Sequence, residues 1–299
     1  MFPALLATVL YAFSALSSRR LFHFYSGTQA NFYRLFLAAT LLGTWSFLGG
    51  FGLGGPAFPW LFFSGCVGFG LGDLAMLQTY PHLGARRTMV MVQCLAAPLA
   101  TLIEWAWLGR APTLEQAGLA IVILAGVGIA IMPAKNDEPT HGLKAGVIFG
   151  FLAALGQGGG AVLSRKAYAV AEVAGHPFHG AGEGINAAFQ RLTGGIFVTV
   201  LVWLYLKMKR HPDDIRSPNW RGGWPWLVAS ALLGPSIGVS CFQWALMTVK
   251  PGIVLSIVAT SPLLLIPLTR LADGERITKR AIFGGVIAVA GVIGLMYSR

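Results

Sequence analysis

Residues Thr260–Tyr297 read TSPLLLIPLTRL, then ADGERITKR, then AIFGGVIAVAGVIGLMY: an apolar segment, a short charged loop and a second apolar segment. Residues Ala96–Met132 follow nearly the same order, AAPLATLIEWAWL, GRAPTLEQ and AGLAIVILAGVGIAIM. Pro98 and Pro262 stand 164 positions apart, and Ala125-Gly126-Val127 and Ala290-Gly291-Val292 stand 165 apart. The likeness extends outward from this pair. Ala15–Arg20 (ALSSRR) resembles Ala161–Lys166 (AVLSRK), Phe32–Leu35 (FYRL) resembles Phe189–Leu192 (FQRL), and Gly70 aligns with Gly234. Apolar sequence produces chance likeness easily. A shared order of Arg, Gly, Pro and loop features does not, so the chain reads as one pattern written twice.

Composition sets the class. Of 299 residues, 55% are hydrophobic and 11% are charged, against about 25% charged in a soluble domain. Apolar runs near 20 residues recur from end to end, the length that crosses a bilayer as helix. The expected class is an all-α polytopic membrane protein with no room for a separate soluble domain. The net charge of +11 would suggest nucleic acid in a soluble protein. In a membrane protein, basic residues collect in cytoplasmic loops, so no nucleic-acid partner is expected. Cys66, Cys94 and Cys241 lie in apolar segments and suggest buried small hydrophobes without disulfide or metal spacing. The N-terminal MFPALLATVLYAFSALSSRR carries its charges after the apolar run. A signal peptide carries them before it, so this stretch reads as a retained first helix.

Ten apolar segments are expected, near 2–18, 29–49, 57–80, 88–108, 115–132, 144–164, 185–207, 224–246, 251–271 and 280–297. The polar stretch 135–143 reads as a linker between two five-helix repeats, 1–134 and 144–299. Five is odd, so the second repeat enters the membrane with opposite polarity. Inverted repeats are a plan of secondary transporters. Counting Lys and Arg by side assigns 16 to the loops after the odd-numbered segments and 6 to the side holding both termini. The positive-inside rule then puts both termini outside, periplasmic or extracellular; the expected location is a plasma (bacterial inner) membrane.

The pattern resembles the drug/metabolite transporter superfamily, in particular its EamA-type ten-helix permeases. The residues that carry the resemblance are Pro98-Leu99, Pro262-Leu263, the Gly274–Thr278 turn (GERIT), the Ala-Gly-Val helices after each loop, and Arg34 and Arg191 early in segments two and seven. One departure is Gly109–Thr113 (GRAPT), which lacks the acidic residue of the second turn. The resemblance implies a ten-helix bundle around a cavity, alternating access by rocking of the halves, and small metabolites, often amino acids, as cargo.

Polar groups inside hydrocarbon are costly and ask for a reason. Asp73, in GFGLGDLAMLQTY, can bind a substrate ammonium or carry a coupling proton, or it can be a structural carboxylate paired with an arginine. Gly65, Gly68, Gly70 and Gly72 around it allow close helix approach or local unwinding. Glu104 reads as a cavity group or an interfacial ion pair, and Arg34 and Arg191 as gates, carboxylate partners or snorkelling cations. Gln78, Tyr80, Gln93, Gln157, Gln243 and Trp244 are cavity candidates or helix-to-helix hydrogen-bonding groups. Trp105 and Trp107 read as interfacial anchors, with Trp105 also a cavity candidate. Pro98 and Pro262 are hinge candidates, since each removes a helical hydrogen bond. Gly156–Gly160 (GQGGG) can approach a ligand or a helix, but lacks a P-loop lysine.

A secondary transporter of small organic metabolites, exporter or exchanger, is therefore the leading expectation. It takes amino acids or related compounds and runs either on protons through Asp73 or on the substrate gradient alone. The alternative within transport is an exporter of hydrophobic cations. A membrane enzyme is disfavoured: there is no HExxH, no GxSxG and no aspartate-rich metal motif, and His176 and His179 have weak metal potential. A receptor usually adds an output domain that does not fit in these loops. No cofactor or metal is expected. A chain that holds both inverted halves has no need of a second copy and is expected to be a monomer.

Overall fold

The computed structural model describes residues 1–21, 23–109, 111–132, 142–176, 178, 180–209, 220–248, 251–273 and 278–298. Most of the 135–143 linker, Arg110, His179 and most of the Gly274–Thr278 turn lie outside the described residues. The described residues are helical throughout, with no strand. The helices are α1 Phe2–Leu21, α2 Gly27–Gly49, α3 Phe58–Gly65, α4 Asp73–Leu108, α5 Leu114–Ile131, α6 Leu143–Val173, α7 Ala181–Met208, α8 Trp220–Ala231, α9 Ile237–Thr248, α10 Pro251–Val258, α11 Ser261–Asp273 and α12 Lys279–Tyr297. Two π-helical stretches, Cys66–Gly72 and Leu232–Ser236, join α3 to α4 and α8 to α9. Among the described residues, six helical stretches are long and apolar enough to cross a membrane. The chain is an all-helical polytopic membrane protein.

Local chemistry starts these helices where the sequence changes character. Ser26 accepts from the Gln29 backbone N–H while the Gln29 side chain accepts from Ser26 N–H, both at 3.3 Å. Thr113 and Gln116 close the same reciprocal box before α5, at 3.1 and 3.3 Å. Thr278 caps α12 by accepting from Ala281 N–H at 3.2 Å. Each interaction satisfies a backbone donor that the first helical turn leaves open.

The stretch from Phe58 to Trp107 reads as 50 residues of continuous apolar helix, far more than the ~20 that cross hydrocarbon. It is two arms. Gly84 alone has non-helical backbone within α4 (φ 73°, ψ 168°), a conformation open only to glycine. Packing against α6 shows the reversal. Ser64 Oγ lies 2.9 Å from Ser164 Oγ, and Gly68 and Gly72 approach Gly160 and Gly156, so the first arm runs antiparallel to α6. Leu83, Met91 and Ala96 approach Gly146, Gly150 and Gly158, so the second arm runs parallel to it. The sequence suggests a loop over 81–87. The chain instead stays helical on both sides of Gly84 and buries Arg86.

Helices α5 and α12 cross closely. A Cβ added to Gly126 would stand 2.5 Å from Ala288 N, one on Gly284 2.5 Å from Ala130 N, and one on Gly291 2.7 Å from Ile123 Cγ1. As one number rises the other falls, so the two helices are antiparallel. The α2–α7 pair follows the same rule: Asn31 donates to Thr199 Oγ1 at 2.9 Å, Leu35 lies against Gly195, and Gly43 against Phe189. Small residues at each contact let backbones approach, as dispersion in a membrane bundle requires. Phe36, Phe47, Leu48, Leu124 and Phe283 project outward from the bundle, where hydrocarbon would meet them.

Candidate functional site

The bundle holds a cavity walled by residues of α1, α2, the Phe69–Gln93 stretch, α6 and residues 234–239. From α1 it takes Tyr11, Ser14 and Ser18. From the Phe69–Gln93 stretch it takes Asp73, Tyr80 and Gln93, and from α6 Gln157. Arg34, Met76, Met89, Pro235 and Val239 complete the wall. The first π-helical stretch explains how a carboxylate comes to face it. Cys66–Gly72 (CVGFGLG) widens the helix just before Asp73, and π-turns of this kind redirect the side chains that follow.

Asp73 forms an ion pair with Arg34, whose side chain is 3% exposed against 12% for the carboxylate. Arg34 Nε also donates to Asn31 Oδ1 at 3.2 Å. Asn31 in turn donates to the Phe69 carbonyl at 3.2 Å and to Thr199 Oγ1 at 2.9 Å. The network ties α2, α7 and the π-helical stretch to one buried charge pair. Desolvating two ions is costly, and these extra hydrogen bonds are what make such a pair tolerable. Also on the wall, Gln157 donates to Gln93 Oε1 at 3.1 Å, joining α6 to α4.

Among the sequence candidates, the cavity brings together Asp73, Tyr80, Gln93, Gln157 and Arg34. Gln78 does not line it. Gln243 is fully buried and accepts from the Tyr168 hydroxyl, joining α9 to α6. Trp244 packs against Gly184. Trp105 is 47% exposed on the outside of α4, away from the cavity. Glu104 pairs with Arg165 across α4 and α6, with both side chains about 30% exposed. Arg191 is 6% exposed and lies over the Phe69 ring at 4.9 Å.

The two prolines differ locally. Pro98 is buried in α4 without local departure from helical backbone. Pro262 sits in the first turn of α11, directly after a break at Ala259–Thr260. There its missing N–H costs little, because a first-turn N–H has no partner within its own helix.

Sequence reading passed over Tyr11, Ser14 and Ser18. Their spacing puts them on one face of α1, and a polar stripe at that spacing in an apolar helix is the signal that could have found them. Ser18 Oγ lies 2.7 Å from Ser230 Oγ, and Ser14 donates to the Ser230 carbonyl at 3.3 Å, fixing α1 against α8.

The EamA-like transporter family matches this chain over residues 1–132 and again over 144–297. A crystal structure of a protein superposes with a TM-score of 0.63 over 98% of this chain and 94% of the other, at 15% identity. That likeness concerns the fold alone. No curated protein matches the sequence. The match across nearly the whole length, on an all-helical bundle with a polar cavity, identifies the chain as a member of the EamA-like transporter family.

Proposed function

We propose that this protein is a secondary transporter of small organic metabolites, amino acids or related compounds, working by alternating access. The observation that carries the reading is the cavity where Tyr11, Tyr80, Gln93 and Gln157 surround the buried Asp73–Arg34 pair in a chain of a transporter family. Amide and hydroxyl groups hydrogen-bond both carboxylates and amines, and a carboxylate can hold an ammonium.

The proposed architecture is ten membrane-crossing helices in two inverted repeats, with both termini outside a bacterial inner membrane. Three features support it. The two family-matched stretches fall on the two proposed halves. The counterpart helices α2 and α7, and α5 and α12, pack antiparallel. The π-helical stretches carry Gly70 and Gly234, residues that the repeat aligns. Opposite polarity of counterpart helices is what inversion requires. The chain acts as a monomer, and either protons at Asp73 or the substrate gradient drive it.

The test is counterflow in proteoliposomes with labelled amino acids and organic cations, with and without a pH gradient. Amino-acid exchange supports the reading, and exchange of cations alone turns it into a drug exporter. Asp73→Asn and the paired variant Asp73→Asn/Arg34→Gln accompany the wild type. Proton-dependent movement that both variants lose makes Asp73 the coupling group. Exchange that survives in the paired variant makes Asp73 structural and the protein a facilitator. A folded protein that moves no solute overturns the proposal.

A further inference from the structure

The repeat supplies two matching arginines, Arg34 and Arg191, but among the described residues only one carboxylate, Asp73, lies near them. The position aligned with Asp73 falls at Ile237, in a stretch from Trp220 to Thr248 that contains no Asp or Glu. Arg34 takes Asp73. Arg191 makes no ion pair or hydrogen bond among the described residues, and its Nε is buried without an acceptor. The Phe69 ring offers it a π face at 4.9 Å and no oxygen. The titratable groups near enough to act on it are Tyr168, Tyr11 and Asp73, and the last is engaged by Arg34.

The surroundings are shaped to hold that guanidinium. A Cβ added to Gly68 would stand 3.0 Å from Arg191 Nη2, and one on Gly160 3.2 Å from it. Two glycines, one in the π-helical stretch and one in GQGGG, leave the room. Arg191 is not itself among the residues that line the cavity; its neighbours Phe69 and Tyr11 are, as is Gln157 one turn before Gly160, so the guanidinium lies directly behind that wall. An unpaired charge in a low-dielectric interior is strongly unfavourable. Ionisable groups kept inside a membrane segment mark substrate or ion pathways.

We infer that Arg191 is the anion-recognising residue of the transport site and that the substrate bears a single carboxylate. This rests on the transporter reading above. One uncompensated positive charge is balanced by one carboxylate. A phosphate monoester, carrying about −1.5 to −2 at neutral pH, would leave surplus negative charge close to Asp73. A hydrophobic cation without a carboxylate would offer Arg191 no acceptor oxygen.

The experiment compares L-tryptophan and L-leucine with their carboxamides, which keep shape and ammonium but lose the carboxylate. Both are measured as competitors of counterflow in proteoliposomes and as ligands of the detergent-purified full chain. The wild type should favour acid over amide by about tenfold or more, the contribution of a charge-assisted hydrogen bond. Arg191→Gln should bring that ratio close to one, Arg191→Lys should restore part of it, and Gly160→Ala, which crowds Nη2, should reduce it. Only the wild-type ratio is needed if a variant fails to fold. Equal affinity for acid and amide in the wild type, or a ratio unchanged in folded Arg191→Gln, overturns the inference and leaves the transporter reading intact. Arg191-dependent acid binding without counterflow upholds the anion site and overturns transport. Absence of both binding and counterflow overturns both.

Discussion

Asp73, at the C-terminal end of a π-helical stretch, is the carboxylate partner of Arg34, 39 residues earlier and on a different helix. The pair is buried at the cavity wall. Removing one member leaves the other charged, desolvated and alone.

Asp73→Asn is expected to destabilise the protein by about 3–5 kcal/mol, the usual effect of breaking a buried pair from one side. The paired variant Asp73→Asn/Arg34→Gln should lose much less, because no charge remains uncompensated. Thermal unfolding of the wild type, both single variants and the double variant in detergent gives the coupling directly. Single losses that simply add in the double variant would sink this account.

Gly156 lies against Gly72 so closely that a Cβ on it would stand 2.5 Å from Gly72 Cα and 2.9 Å from the Val67 carbonyl oxygen. Both neighbours are backbone and cannot rotate away. Gly156→Ala should cost about 1–3 kcal/mol through overpacking. Gly128→Ala is the control, since a Cβ there meets nothing within 4 Å. That change should be neutral or stabilise by up to about 1 kcal/mol. Equal melting temperatures for the two variants would contradict the close approach.

Gly84→Ala isolates backbone conformation from packing, because an added Cβ meets nothing within 4 Å. The φ of 73° with ψ of 168° is nearly closed to L-residues, and the expected cost is about 1–3 kcal/mol. A variant as stable as the wild type would mean that the chain reverses without this conformation.

The antiparallel crossing of α5 and α12 is testable by cross-linking. A Cβ on Gly294 would lie 3.7 Å from Leu119 Cγ and meets only that side chain, so replacing both residues leaves room within reach of disulfide geometry. In a chain whose three cysteines are replaced by alanine, Leu119→Cys/Gly294→Cys should form an intramolecular disulfide on mild oxidation. Pairing Ala130→Cys with Gly294→Cys instead should not, because Gly294 faces Leu119. The opposite pattern would require parallel helices.

Membrane class, the double pattern and the family were legible in the residues, because hydrocarbon length and repeat order are properties of the string itself. So was the polar set around Asp73, since any carboxylate in such a segment needs an explanation. Gln93 and Gln157 were legible as candidates but not as partners, being 64 residues apart. Trp105 illustrates the opposite case. Its rotational position on α4 turns it outward, which depends on how α4 packs against its neighbours and not on the residues beside it in the chain.

The sequence by itself determined that this chain crosses a membrane, that its pattern is duplicated, and that Arg34 and Arg191 occupy matching places. Only the tertiary structure decided that Asp73 faces Arg34 and that Arg191 remains without a carboxylate among the described residues. The reason is physical. A repeat gives both arginines the same local surroundings along the chain, whereas ion pairing depends on atoms a few ångströms apart on helices distant in sequence. Helix packing, set by where glycines let backbones meet, breaks the symmetry that the residues share.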